Sequence, residues 1–259
     1  MNAHKERVAQ AFSRSAQTYD QAAQVQDDIA AEVAAKALNT TRSGPLPDDP
    51  KILEVGCGTG ALTRRMLDGV DGGTFLVTDI APDMLGRCQA NISDPRVSFV
   101  CMDGEHPAPV LGDQCFDLIV TSLAVQWFVD LRAGLVRLSQ HLNPGGRIVF
   151  STLGDGTFIE WRAAHTALGL ADGIPAFINA GALTRMWPQK GKGIVSEKMI
   201  KRRYQNARSF ARILKSIGAN TPAIGHKPLS PKNFRRLSAH LGPNFANTYH
   251  VVYGDFTKT

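Results

Sequence analysis

The stretch Glu54-Val55-Gly56-Cys57-Gly58-Thr59-Gly60 places an acid and three glycines where a short apolar strand meets the start of a helix. Glycines there let a ligand approach the backbone closely, and a helix N-terminus offers free N–H donors. Read loosely, Gly56-x-Gly58-x-x-Ala61 also fits a dinucleotide fingerprint, so the loop alone is ambiguous. The acid two residues before the first glycine and the third glycine at position 60 tip the balance. A methionine-derived sulfonium ligand has no pyrophosphate, but it carries an ammonium that wants an acid nearby. Asp79, ending the second strand, is placed to accept hydrogen bonds from both ribose hydroxyls. Asp103, after the third strand, is placed to take an adenine amino group.

These residues need a scaffold, and the hydrophobic pattern supplies one. Apolar runs predict strands at Lys51 to Val55, Thr74 to Thr78, Val97 to Met102, Phe116 to Ser122 and Arg147 to Thr152. Helices are predicted between them at Thr59 to Leu67, Pro82 to Ala90 and Leu131 to Leu142, the last stopped by Asn143-Pro144-Gly145-Gly146. Repeated βα units of this length imply an α/β fold of Rossmann-like type, a mostly parallel, doubly wound sheet with helices on both faces. Ahead of it, Val8 to Leu38 reads as helix, with Val8, Phe12, Ser15 and Tyr19 on one face and a second alanine-rich stretch from Val25. The breaker-rich Asn39 to Pro50 connection then divides an N-terminal helical lid or arm (1–50) from the domain proper (51–259). Beyond the fifth strand, Thr157 to Leu168, Ala180 to Trp187 and Ala207 to Ile217 read as helix. Ile194 to Tyr204 and Tyr249 to Thr257 read as extended.

The net charge of +6 conceals an asymmetry: residues 185–259 carry a balance of +13 and the rest −7. A strongly basic sector favours an anionic partner. Lys198, Lys201, Arg202 and Arg203 on one extended segment, with Arg208, Arg212 and Lys215 on the next helix, would form a positive landing zone. Nucleic acid is an unlikely reading for it, since interleaved aromatics, Arg/Gly tracts and a recognisable RNA module are missing. The four cysteines, Cys57, Cys88, Cys101 and Cys115, show no C-x-x-C pairing, so neither a metal site nor a disulfide framework is expected. No apolar run approaches a membrane span, and Met1 to Tyr19 is too polar for a secretory signal, which points to the cytoplasm.

The glycine loop, Asp79 and Asp103, in step over five strands, resemble the class I S-adenosylmethionine-dependent methyltransferases. The resemblance implies Glu54 near the methionyl end, Gly56, Gly58 and Gly60 against the cofactor, and Asp79 with Ile80 at the ribose. It implies Asp103 with Gly104 at the adenine, Met84 packed on its ring, and Thr121-Ser122 at the methyl end. The flanks are more specific. Val8-x-x-x-Phe12-x-x-x-Ala16-x-x-Tyr19-Asp20, Ser122 to Trp127, Phe150 to Thr157 with Glu160-Trp161-Arg162, Leu214 to Asn220 and Thr248 to Gly254 resemble the malonyl-[acyl-carrier protein] O-methyltransferases. Trp161, His165 and the Met186 to Gly193 stretch depart from that pattern.

That family implies methylation of the free carboxylate of a malonyl thioester, on acyl carrier protein or coenzyme A. Such a carboxylate is already ionised at neutral pH, so no general base is required. Within this frame Tyr19 would steer the carboxylate and Arg162 would recognise its charge. Gln126 and Trp127, then Thr152 and Asn179, would bind substrate. The plain alternatives are an aromatic on a buried stripe, a surface helix arginine, and ordinary loop, turn or cap residues. Rival functions are a methyltransferase of the same fold acting on another small acid or a quinone, or a cofactor-binding protein without transfer activity.

Overall fold

The computed structural model describes residues 3–41, 44–217 and 228–259. Arg42 and Ser43 of the breaker-rich connection, and Gly218-Ala219-Asn220 of the tail motif, lie outside the described residues. Eleven α-helices and seven strands are described: α1 (Ala3–Ser15), α2 (Tyr19–Ala22), α3 (Gln24–Ala37), β1 (Lys51–Val55), α4 (Ala61–Gly69), β2 (Thr74–Asp79), α5 (Pro82–Asn91), β3 (Val97–Cys101) and α6 (Ala108–Leu111). Then come β4 (Phe116–Ser122), α7 (Leu131–Gln140), β5 (Leu142–Leu153), α8 (Ile159–Ala167), α9 (Ala180–Leu183), β6 (Gly191–Tyr204), α10 (Ala207–Ser216), α11 (Pro231–Leu241) and β7 (Phe245–Lys258). Among these residues no helix is long and apolar enough to cross a membrane.

The strands form one sheet in the order β3-β2-β1-β4-β5-β7-β6. Strands β1 to β5 pair in parallel, and β7 lies antiparallel between β5 and β6. The order reverses between β1 and β4, so the crevice beyond their carboxyl ends is where this architecture receives a ligand. Alternation along the strands divides the core. Ile52, Leu118, Val120 and Val149 face a cluster that includes Ile29 and Val33 of α3. Leu53, Ile119, Ile148 and Phe150 face the opposite one, with Leu135 and Leu138 of α7.

Three expectations need correction. The N-terminal helix does not run on through Tyr19: α1 stops at Ser15, whose Oγ donates to Phe12 O (2.9 Å), and Tyr19 opens a separate short helix. Ala16 and Tyr19 fit the continuing apolar stripe, so periodicity could not reveal the break. The Asn143 to Gly146 stretch does not precede the fifth strand but lies inside β5. The register against β4 jumps there, from Phe116 opposite Leu142 to Leu118 opposite Arg147. Finally, α11 is absent from the sequence reading, although Ser230 caps it by accepting from Asn233 N–H and Pro231 opens it.

Candidate functional site

The loop after β1 is set by the neighbouring strand. The N–H groups of Gly56 and Cys57 both donate to Thr78 O, at 2.8 and 2.9 Å, turning the chain sharply across the crevice. Gly56 has φ 73°, and a side chain there would run into Ala124. Gly58 has φ 53° and faces open space, where a Cβ would meet nothing within 4 Å. Its N–H donates to Asp79 Oδ2 (2.9 Å), while Asp79 Oδ1 accepts from Ala81 N–H (2.8 Å). Burial pushes the Asp79 carboxyl up to about 6, with those amides opposing. Glu54, also buried, is pushed by burial up to about 8, a hydrogen bond with Thr63 opposing; its Oε1 has no partner.

A cation the sequence reading missed closes the other side. Lys5 of α1 is only 4% exposed, and its Nζ donates to Asp103 Oδ1 and Oδ2 at 2.6 and 2.7 Å. The same ammonium lies 2.6 Å from Glu105 Oε2. Glu105 in turn accepts from the N–H groups of Val129 (2.8 Å) and Asp130 (2.9 Å), which ties the loop after β4 into the network. Burial works against the charge on Asp103, but the Lys5 ammonium, the Glu105 amide and His106 outweigh it and hold the carboxyl low. Asp103, Glu105 and His106 come close enough together for a cation, and the Lys5 ammonium is bound to this group. The signal was present in the sequence: Lys5 precedes Val8 and Phe12 on the buried stripe of α1, where a charge needs a partner.

Three cavities meet at Tyr19. One of about 80 Å³ is bounded by Asp79, Ile80, Met84, Asp103, Gly104 and Ser122. A second, about 300 Å³, is lined by Asp20, Glu54, Cys57, Gly58, Thr59 and Arg64 among others. The third, about 310 Å³, is walled mainly by aromatic and aliphatic groups, including Phe12, Trp127, Phe158, Trp161 and Tyr249, with Gln26 and Asp172 also on its lining, the latter accepting from Ile174 N–H (2.7 Å). Among the described residues lining the third there is no lysine or arginine. It does hold unsatisfied polar groups: Trp127 Nε1 and Gln126 Oε1 are buried without partners, while Gln126 Nε2 donates to Leu123 O (2.8 Å). Leu123 (φ 52°) and Phe158 (φ 60°) both line this cavity in the left-handed region, a strain of about 1–2 kcal/mol each. Burial pushes the Tyr19 phenol well above its ordinary value, the Asp79 and Asp20 charges adding to it, so it stays a hydrogen-bond donor.

Comparison with known proteins follows this geometry. Residues 52–146 match the family described as Methyltransferase domain. Over 98% of this chain and 93% of its relative, the sequence is 42% identical to the malonyl-[acyl-carrier protein] O-methyltransferase of Magnetococcus marinus. The chain belongs to the malonyl-[acyl-carrier protein] O-methyltransferase family. It is also 38% identical, over 97% of its length, to the biotin biosynthesis bifunctional protein BioCD of Bordetella avium, of which the match covers 52%. Among solved structures, the YcgJ protein of Bacillus subtilis matches with TM-score 0.60 at 14% identity, over 88% of this chain and 98% of that one. The plantazolicin methyltransferase BpumL, in complex with SAH, matches with TM-score 0.56 at 14% identity, over 99% and 96%. Both likenesses show the Rossmann-like methyltransferase fold.

Against this family background, the residues singled out from sequence fall into place. Glu54, Gly56, Gly58, Asp79, Ile80, Met84, Asp103, Gly104 and Ser122 line the first two cavities, Gln126 lines the third, Trp127 lines both the first and the third, and Tyr19 lines all three. Gly60 stands one step back, donating to Cys57 O and capping α4. Arg162, Thr152 and Asn179 are not brought to the cavities. Arg162 donates to the carbonyls of Pro175 (3.1 Å) and Asp155 (3.4 Å) and lies 6.0 Å from the Phe177 ring centroid. It thus holds the outside of a wall whose inner surface Pro175 and Phe177 form. Thr152 is buried within β5, and Asn179 caps α9 while donating to Asp155 Oδ2 (2.9 Å). Trp161 is part of the apolar wall, and His165 packs behind it at a ring distance of 4.8 Å. The basic strand is corrected too: Lys198 pairs with Glu32 (2.9 Å), Lys201 with Glu160 (3.7 Å) and Arg202 with Asp28. Three of its four expected landing charges are therefore already matched.

Proposed function

We propose that this chain methylates the free carboxylate of a malonyl thioester carried by acyl carrier protein, using S-adenosylmethionine, to give the methyl ester primer of biotin synthesis. The observation that carries the reading is the junction at Tyr19, where an acid-lined cavity and an apolar one with unpartnered polar groups share a wall.

The residues fit the cofactor. Gly58 leaves space that a side chain would fill, and the bare Glu54 Oε1 wants a donor. Glu54 and Asp20 would hold the ammonium end, and Arg64, on the same cavity, the carboxylate end. Asp79 would accept the ribose hydroxyls, with Ile80, Met84 and Gly104 around the adenine. Asp103 would reach the adenine amino group only with the lone pairs that Lys5 leaves. When bound, the sulfonium supplies an activated methyl carbon.

On the acceptor side the protein's task is alignment and exclusion of water. A malonyl carboxylate has a pKa of about 4, so it arrives as the nucleophile. Tyr19 O–H and Trp127 Nε1–H, both neutral donors, would orient it without the tight pairing that an arginine fork imposes on both oxygens. The ester product carries no charge, which suits an apolar wall. Incubation of malonyl-acyl carrier protein and malonyl-coenzyme A with S-adenosylmethionine, read by mass spectrometry, tests the reading. A gain of one methyl group is expected; intact mass on both substrates would contradict it.

A further inference from the structure

A fourth concavity lies on the other side of the helices that wall the apolar cavity. It measures about 360 Å³ and is lined by Arg14 and Ser15 of α1, Thr18, and Arg212, Lys215 and Ser216 of α10. The two helices serve both hollows. Phe12 of α1 and Ala211 and Leu214 of α10 face the apolar cavity, while Arg14, Arg212 and Lys215 face the groove. Thr18 Oγ1 donates to Ser216 O (3.2 Å) across the seam, and the next residue is Tyr19. The groove therefore adjoins the place where the three inner cavities meet.

Its charge is uncommitted. No carboxylate pairs with Arg14, Arg212 or Lys215 among the described residues. The undescribed residues 1–2, 42–43 and 218–227 contain no aspartate or glutamate that could do so. The contrast with β6 is direct: there the cations are turned onto Glu32, Glu160 and Asp28. Two guanidinium groups and an ammonium around one concavity suit a compact, multiply oxygenated anion better than a flat acidic surface, because an arginine fork matches phosphate oxygens in pairs.

We propose that this groove is the subsite for the phosphate at the head of the substrate's pantetheine arm. The inference rests on the malonyl thioester reading, since a phosphate beside the cavity's wall is what such an arm would present. Charge is then read outside the apolar cavity, at the anchored end of the arm, and the reacting carboxylate inside meets neutral donors.

The test compares malonyl-pantetheine, malonyl-4′-phosphopantetheine and malonyl-acyl carrier protein as substrates for the wild type and for an Arg14→Gln/Arg212→Gln variant. The wild type is expected to favour the phosphorylated small thioester by about tenfold to a hundredfold in kcat/KM. The variant is expected to erase that preference while still binding S-adenosylmethionine, which reports an intact fold. Equal kcat/KM for the two small thioesters in the wild type overturns the subsite. So does a variant that loses activity on the carrier protein alone, which would assign the groove to the carrier's acidic side chains. Absence of methylation on all three substrates would instead overturn the malonyl thioester reading itself. Should the double variant not fold, inorganic phosphate decides: it should inhibit turnover of the phosphorylated thioester competitively and leave malonyl-pantetheine turnover unaffected, and the absence of that difference overturns the subsite.

Discussion

The two halves of the crevice handle charge in opposite ways. On the β1–β3 side, Glu54, Asp79, Asp103 and Glu105 crowd together, three of them almost fully buried; Asp79 is answered by backbone amides and Asp103 and Glu105 by Lys5, while Glu54 Oε1 is left without a partner. On the β5–β7 side, a cluster of aromatic rings in edge-to-face and tilted contact builds and backs the wall. Phe158 meets Tyr249 at 4.9 Å and Phe210 at 5.1 Å, and Trp161 meets Phe210 at 5.1 Å. The first side suits amino, carboxylate and hydroxyl groups that the reaction leaves unchanged. The second suits a carboxylate whose charge is lost, together with that of the sulfonium, when the methyl group is transferred. A fold built by extending a parallel sheet with two antiparallel strands can keep these environments apart, because each half is positioned by different strand ends.

The largest expected effect is on the charged side. Replacing Lys5 by methionine leaves Asp103 and Glu105 without their ammonium, one of them almost fully buried, and should destabilise the fold by about 3 kcal/mol. Thermal and urea unfolding would measure it; a change below about 1 kcal/mol would mean that water replaces the ammonium there. Next, Asp79→Ala should weaken S-adenosylmethionine binding by at least about tenfold, since each charged hydrogen bond is worth roughly 1.5–3 kcal/mol. Isothermal titration measures this directly, and parental affinity would remove Asp79 from the ribose.

Glu54 gives a pH signature. Its ordinary value is 4.5 and its folded value about 8, so between those pH values the native state holds a proton that the unfolded chain has released. Its contribution therefore makes the ligand-free protein lose stability as pH rises through that window. Glu54→Gln should flatten the slope. The same proton should be released when the ammonium end of the cofactor binds near neutral pH, seen as a dependence of binding heat on the buffer's ionisation enthalpy. Equal slopes in wild type and variant would contradict the assignment. The smallest effect should come from Arg162→Ala. As its guanidinium braces loop carbonyls outside the cavity, KM for the malonyl substrate should change by less than about threefold, with roughly 1 kcal/mol lost in stability. A strong KM rise would restore it to carboxylate recognition.

These residues also show what a sequence can reveal. Strands β1, β2 and β4, the glycine loop and Asp79 were legible because apolar runs, glycines and a strand-terminal acid act within a few residues of each other. Lys5 binds an acid 98 positions away, and its stripe position marks the burial but not the partner. The place of Arg162 away from the cavities was not legible for a related reason. Its helix was readable, but the path of the 172–177 loop that covers it follows from packing against α8, not from local propensity. The three strand cations looked like a free basic face because their partners sit on α3 and α8.

The contrast between the two halves is tested most directly at their junction. In Tyr19→Phe, kcat on malonyl-pantetheine and the dissociation constant for S-adenosylmethionine should be measured on the same preparation. Loss of one neutral donor to the reacting carboxylate should lower kcat by about tenfold or more while cofactor affinity stays within about twofold. An unchanged kcat with weakened cofactor binding would contradict the division, placing Tyr19 with the charged half and leaving the carboxylate without its donor.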